Sequence, residues 1–171
     1  MAKRLFQTSN FTPTAQADTT ALTSGTYMAV KGGSGTQRID ILEILIAGLA
    51  ASTSSPTIAQ FARHSTVATT PTALAAPASD GPMDPASAAL AAPPVTFTAA
   101  STGPQRSATT SDARLMLNLN AQGGIMKWFA YDRSAPFGLL GNTASLGEAS
   151  LSAFTGGTVG AISAHIQYEP A

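Results

Sequence analysis

Two histidines, His64 and His165, and nine acidic residues are the side chains in this 171-residue chain from which catalysis or metal binding could start. A serine nucleophile needs a histidine base and an orienting acid. No serine here sits in the Gly-x-Ser-x-Gly turn that exposes such a nucleophile. Both histidines fall in stretches that alternate like strands, so partners reach them only through sheet pairing. A hydrogen-bonding role at the surface or between subunits is expected for each. With Asp or Glu they would make a metal site in principle, but their spacing follows no ligand pattern. Asp40 and Glu43 are the nearest approach to a glycosidase pair, yet on a strand they point to opposite faces and cannot flank one substrate. Asp80-Gly81-Pro82-Met83-Asp84 lacks the alternating oxygen ligands and closing Glu of an EF-hand loop. Gly32-Gly33-Ser34-Gly35 would cradle phosphate only ahead of a helix, and a strand pattern follows it. Trp128, Phe129 and Tyr131 could stack on sugar rings. No catalytic residue, cofactor or metal is expected, and the chain reads as non-enzymatic.

The element that organises these residues is Arg38–Leu49, RIDILEILIAGL, the longest apolar run in the chain. One alternating set is Asp40, Leu42, Ile44 and Ile46; the other is Ile39, Ile41, Glu43 and Leu45. Both sets are mainly apolar, so a strand here is expected to be covered on both faces, by further layers or by a second subunit. A helix is the rival reading, since Ile39, Leu42, Ile46 and Leu49 also fall at helical spacing. The β-branched content and the Gly and Ser/Thr flanks favour the strand. Glu43 stands inside this run. Burial without a partner is costly, so a structural ion pair is expected, with Arg63, Arg106 or Arg114, or with another chain. Leu42, Ile44 and Ile46, together with Trp128, Phe129 and Tyr131 of the 125–131 strand, are expected at a subunit interface.

Around that element the chain alternates in short segments, at 4–11, 26–31, 57–65, 95–99, 113–119, 125–132, 136–141, 148–154 and 161–169, separated by Gly, Ser and Thr. Eight to ten short strands and no fixed repeat predict an all-β sandwich, with a jelly roll ahead of an immunoglobulin-like arrangement. Residues 66–94 hold six of the eleven prolines and much alanine, and read as a long ordered connection. Within it, residues 84–92 could form a short helix, with Asp84 as N-cap and Pro85 in the first turn. Residues 1–20 are expected to be an N-terminal arm and 21–171 a single domain.

Composition narrows the partners. Nine basic and nine acidic residues give a net charge of zero, and only 11% of the chain is charged, against about 25% in an ordinary soluble domain. Such surfaces associate readily unless already covered, which suits permanent assembly. Lys3-Arg4 is the one basic cluster, so nucleic acid is not an expected partner. The longest apolar run is too short to span a membrane as a helix. No apolar stretch follows the basic start, so a secretory leader is not expected either. With no cysteine, disulfides and thiolate metal sites are excluded.

Taken together, the Gly-rich turn into RIDILEILIAG, the section TPTALAAPASDGPMDPASAALAAPPVTF, the turn GGIMKWFAYD and the ending LLGNTASLGEASLSAFTGGTVGAISAHIQYE resemble small jelly-roll structural proteins of tailed bacteriophage virions. The likeness covers residues 26–169 and resides in pattern, without a diagnostic motif. It implies a capsid decoration (cement) protein on the capsid surface of the virion. Such a protein is a homo-oligomer, most often a trimer, that clamps the major capsid protein. A carbohydrate- or receptor-binding jelly roll of a phage particle is the alternative.

Overall fold

The computed structural model describes residues 4–10, 26–49, 56–64, 72–73, 81–88, 90, 95–99, 114–120, 123–131, 136–141, 147–154 and 161–171. Twelve strands run through them: β1 (Phe6–Ser9), β2 (Thr26–Lys31), β3 (Arg38–Gly48), β4 (Pro56–Arg63), β5 (Thr72–Ala73), β6 (Gly81–Pro82), β7 (Val95–Ala99), β8 (Arg114–Asn120), β9 (Ile125–Phe129), β10 (Phe137–Leu140), β11 (Glu148–Phe154) and β12 (Ile162–Pro170). The protein is all-β, in two antiparallel six-stranded sheets, as a sandwich requires. The first sheet runs β10-β3-β12-β1-β6, with β9 also on β3; the second runs β5-β7-β2-β11-β4-β8. The pairings nest: β1 takes β12, β2 takes β11, β3 takes β10 and β9, and β4 takes β8. The first four strands therefore meet the later ones in reverse order, alternating between the two sheets.

At the centre of the first sheet, β3 is a strand, and its two apolar sets have one cause. In the ladder with β12, Gln167 lies opposite Glu43 but Tyr168 lies opposite Ile41, so Leu42 is an extra residue on β3. A bulge of this kind shifts the alternation by one. Ile39 and Ile41 enter the core before it, and Ile44 and Ile46 after it. The strand thus buries one continuous apolar face, written in the sequence as two half-faces. The expected cover on both faces is met over residues 39–42, all four of which are buried, and is partial beyond them, where Glu43, Leu45 and Ala47 on the outer face are half-buried.

Between the sheets, Phe6, Ile39, Ile41, Ile44, Ile46, Phe137, Leu139, Ile166 and Tyr168 meet Met28, Val30, Phe61, Ala149 and Leu151. Burying one such large side chain contributes roughly 1.5–3 kcal/mol, and β12, whose Ile162, Ala164, Ile166 and Tyr168 all turn inward, contributes along its whole length. β1 is an interior strand. It lies between β12 and β6, Phe6 stacks on Tyr168 at 5.8 Å, and Asn10 extends the ladder by donating from Nδ2 to the Ile162 carbonyl (3.0 Å) and accepting from the Ala164 amide (2.5 Å). The arm expected over residues 1–20 is therefore built into the sandwich at 6–10; residues 11–20 lie outside the described residues. Most of the 66–94 connection also lies outside them. Its described parts are β5, β6 and one turn where the helix was expected, in which the Ser87 amide bonds to the Asp84 carbonyl and the Ala86 amide to Asp84 Oδ1. Asp84 caps a single turn that goes no further.

Candidate functional site

One side of β3 is shared by two short strands, β10 against Arg38–Ile41 and β9 against Glu43–Ala47. β9 is where large apolar groups reach the surface. Its residues alternate: Met126 and Trp128 pack against the core, while Ile125 (73% exposed) and Phe129 (56%) point outward, and Tyr131 beyond them is 96% exposed. Leu49, at the end of β3, adds to this surface. The Gly48 amide bonds to the Gly124 carbonyl and the Ala130 amide to the Leu42 carbonyl, so the even-numbered residues of β9 turn their backbone groups toward β3. In an antiparallel ladder the alternate residues then turn theirs away. Ile125, Lys127 and Phe129 present N–H and C=O groups along an edge that no described strand pairs. An edge of this kind is a template for another strand.

The expected interface residues divide across this geometry. Phe129 and Tyr131 are exposed, and Trp128 is half-buried on the core side. Ile44 and Ile46 are buried inside the single chain, because the bulge turns them inward, and Leu42, the bulge residue, is only 8% exposed though outside the core cluster, so the three offer little surface to a second copy. Glu43 pairs with Lys127, Oε2 to Nζ 2.8 Å, across the β3–β9 ladder. It does not pair with Arg63, which lies on the other sheet, and Arg106 is outside the described residues. Ile125 lies in the 125–131 strand expected at the interface but was not singled out there, and Leu49 was not expected. The odd-numbered alternation Ile125-Lys127-Phe129 was the signal that pointed to the first.

The sequence reading also missed a buried polar trio. His64 Nδ1 lies 2.5 Å from Glu148 Oε1 and His64 Nε2 2.6 Å from Ser150 Oγ, with all three side chains fully buried. Sheet pairing brings them together, since β4 runs beside β11 and the His64 amide bonds to the Glu148 carbonyl. The connectivity is that of a serine nucleophile with its base and acid. A hydroxyl with no exposed surface meets no substrate, however, and the trio acts as a polar tie between two strands. Glu148 and Ser150 share a face by i, i+2 spacing, the one sign of it in the sequence. His64 is thus a core residue that hydrogen-bonds within the single chain, where a surface or inter-subunit role was expected.

On the outer face of the first sheet, His165 Nδ1 shares a 2.7 Å hydrogen bond with Ser9 Oγ. Burial holds its pKa below the ordinary 6.5, and the nearby Glu43 charge works against that shift. At the β10 end, a pocket of about 240 Å³ is lined by Arg38, Arg63, Pro136, Gly138, Leu139 and Leu140. Arg63 donates from Nε (3.0 Å) and Nη2 (2.7 Å) to the Gly138 carbonyl and lies 4.7 Å over the Phe137 ring, while Arg38 Nε donates to Asp40 at 2.6 Å. Among the described residues no three His, Asp or Glu side chains gather as metal ligands would. Comparison with protein-family profiles, curated proteins and solved structures returns no match.

Proposed function

We propose that the chain is a jelly roll and serves as a non-enzymatic structural protein of a phage virion. In this reading it is a capsid decoration protein that self-associates and binds the major capsid protein at the capsid surface, stabilising the head. The nested pairing of β1 to β4 with β12, β11, β10/β9 and β8 supports the jelly roll, because rolling one long hairpin gives that order. The observation that carries the function is the exposed apolar surface of Ile125, Phe129 and Tyr131 beside an open strand edge. Apolar surface left in water on a charge-poor chain is the mark of a protein–protein contact. At roughly 25 cal/mol per Å² of apolar area covered, a repeated contact of this kind stabilises a shell without any chemistry.

The test is co-sedimentation of the purified chain with capsids of the major capsid protein from the same source. Saturable binding that raises the capsid's melting temperature is expected. No binding at micromolar concentrations, with the protein folded, would sink the reading. A second reading is favoured by one observation: Phe129 and Tyr131 are exposed on the same sheet face as the polar side chains of Glu43, His165 and Gln167, an arrangement suited to stacking on a sugar. Glycan-array binding abolished by Phe129→Ala would favour that alternative, a carbohydrate- or receptor-binding module.

A further inference from the structure

We infer that the open edge of β9 pairs antiparallel with β9 of a second copy of this chain, across a two-fold axis, joining two first sheets into one. The inference rests on the reading of the chain as a self-associating structural protein and names the contact. The two edges of the first sheet are unlike. On one side β6 is two residues long and ends in Pro82, which has no N–H to donate, so that edge is blunted. On the other, β9 turns the backbone groups of Ile125, Lys127 and Phe129 outward; β8 of the second sheet runs near β9, but no described strand is hydrogen-bonded to that edge. Head-to-tail pairing through this sheet needs two receptive edges, and among the described residues one is present. Self-pairing of the open edge is what the sheet allows.

Side chains and charge select the same occupant. Placing Trp128 of both copies on the axis sets Lys127 opposite Phe129 of the second copy and Ile125 opposite Tyr131 of the second copy, each pair occurring twice. Two cations then lie beside aromatic rings, and two Ile–Tyr contacts cover the most exposed apolar groups of the edge. Centring the axis on Lys127 instead would oppose like charges. Trp128, half-buried on the core side, gains cover from its counterpart. The chain carries no net charge, so two copies approach without long-range repulsion. The contact is isologous and yields a dimer, or an assembly made of dimers, in place of the trimer implied by the resemblance.

The experiment is light scattering behind a sizing column over a dilution series, on the natural chain and on Lys127→Pro. The Lys127 N–H faces away from β3, so proline there removes an edge donor and leaves the β3–β9 ladder intact. The natural chain is expected at twice 17.3 kDa. Lys127→Pro is expected to weaken self-association by roughly tenfold or more with an unchanged circular dichroism spectrum. Should that variant misfold, the double variant Ile125→Lys/Phe129→Lys makes the same test on exposed side chains. Trp128 is the only tryptophan, and its emission is expected to shift to the red as the natural chain dissociates. The chain has no cysteine, so register is read directly. Lys127→Cys and Phe129→Cys chains are expected to cross-link when mixed and not when alone, because opposed residues there lie about 5.5 Å apart at Cα. A trimer that Lys127→Pro leaves intact would overturn the β9 contact while self-association stands. A monomer at every concentration, whose capsid binding is lost in Lys127→Pro, would mean that the edge receives a strand of another protein, and would also overturn it. A monomer that binds no capsid would overturn the structural reading itself.

Discussion

β10 and β9 lie end to end along the same side of β3, and one half of that edge is closed while the other is open. On β10, Phe137 (4% exposed) and Leu139 enter the core, and Arg63 reaches over from the second sheet to take the outward carbonyl of Gly138 with two donors. On β9 the corresponding outward groups meet no described partner, and the outward side chains are Ile125 and Phe129. Lysine is a common device for blunting an edge, yet Lys127 is drawn back across the sheet to Glu43. Ladder pairing to β3 is alike in the two halves, so pairing does not close an edge. A cation bound to the outward carbonyl closes the β10 half; among the described residues the β9 half lacks one, and that difference is where the proposed partner strand would fit.

The comparison breaks most sharply on two phenylalanines. Phe137→Ala empties a core position that also makes an edge contact with Phe61 at 5.0 Å, and a loss of about 3–5 kcal/mol is expected in urea unfolding. Phe129→Ala, measured at concentrations low enough to dissociate any oligomer, is expected to stay within about 0.5 kcal/mol of the natural chain. Equal losses would show that the β9 half is as much a part of the core as β10. Arg63→Ala comes next. It removes the cation over Phe137 and the donors to Gly138, but the adjoining pocket admits water to that carbonyl. A loss of about 1–2 kcal/mol is therefore expected, with Arg63→Lys restoring only part of it because an ammonium lacks the planar fork. No loss in Arg63→Ala would mean the β10 edge needs no cap.

Much of this frame was legible beforehand, and the failures have particular causes. The strands were visible because apolar residues alternate with polar ones, as in Ile162, Ala164, Ile166 and Tyr168. That Glu43 would be ion-paired followed from its apolar surroundings. Its partner did not, because Lys127 reaches it only once β9 lies beside β3, and strand order is not written in local pattern. Leu42, Ile44 and Ile46 were misplaced at an interface because a bulge is invisible to strict alternation: one extra residue makes a single buried face look like two. The His64–Glu148–Ser150 tie was missed because its members lie 84 and 86 positions apart and meet only through the β4–β11 register. The strand expected at 4–11 is β1, but its place inside the first sheet was not legible, because four residues carry little periodic signal and its neighbours β12 and β6 are distant in sequence.

The smallest expected effect tests whether the open half is tied to the sheet by charge. His165 faces Leu45 across β12 and β3, and Leu45 faces Lys127; Glu43, two residues along β3 on the same face, is diagonal to both the histidine and the lysine. Burial keeps the folded-state pKa of His165 below 6.5, and Glu43 moderates that shift. As pH falls through 6.5 the unfolded chain takes up the proton first, so stability declines until the lower folded-state pKa is passed and is then level. In Lys127→Ala, Glu43 no longer has its ammonium partner and acts more fully on His165. The His165 ring is then expected to titrate at higher pH, and the acid loss of stability to shrink. Glu43→Gln is expected to do the opposite, lowering the titration and deepening the loss. Both changes are small, because His165 is half-buried and its field is screened by solvent. Proton NMR titration of the imidazole reads them directly. If Lys127→Ala leaves His165 unmoved, the charge of the β9 half does not reach past β3, and the open edge is joined to the rest of the sheet by its backbone ladder and by Met126 and Trp128 against the core.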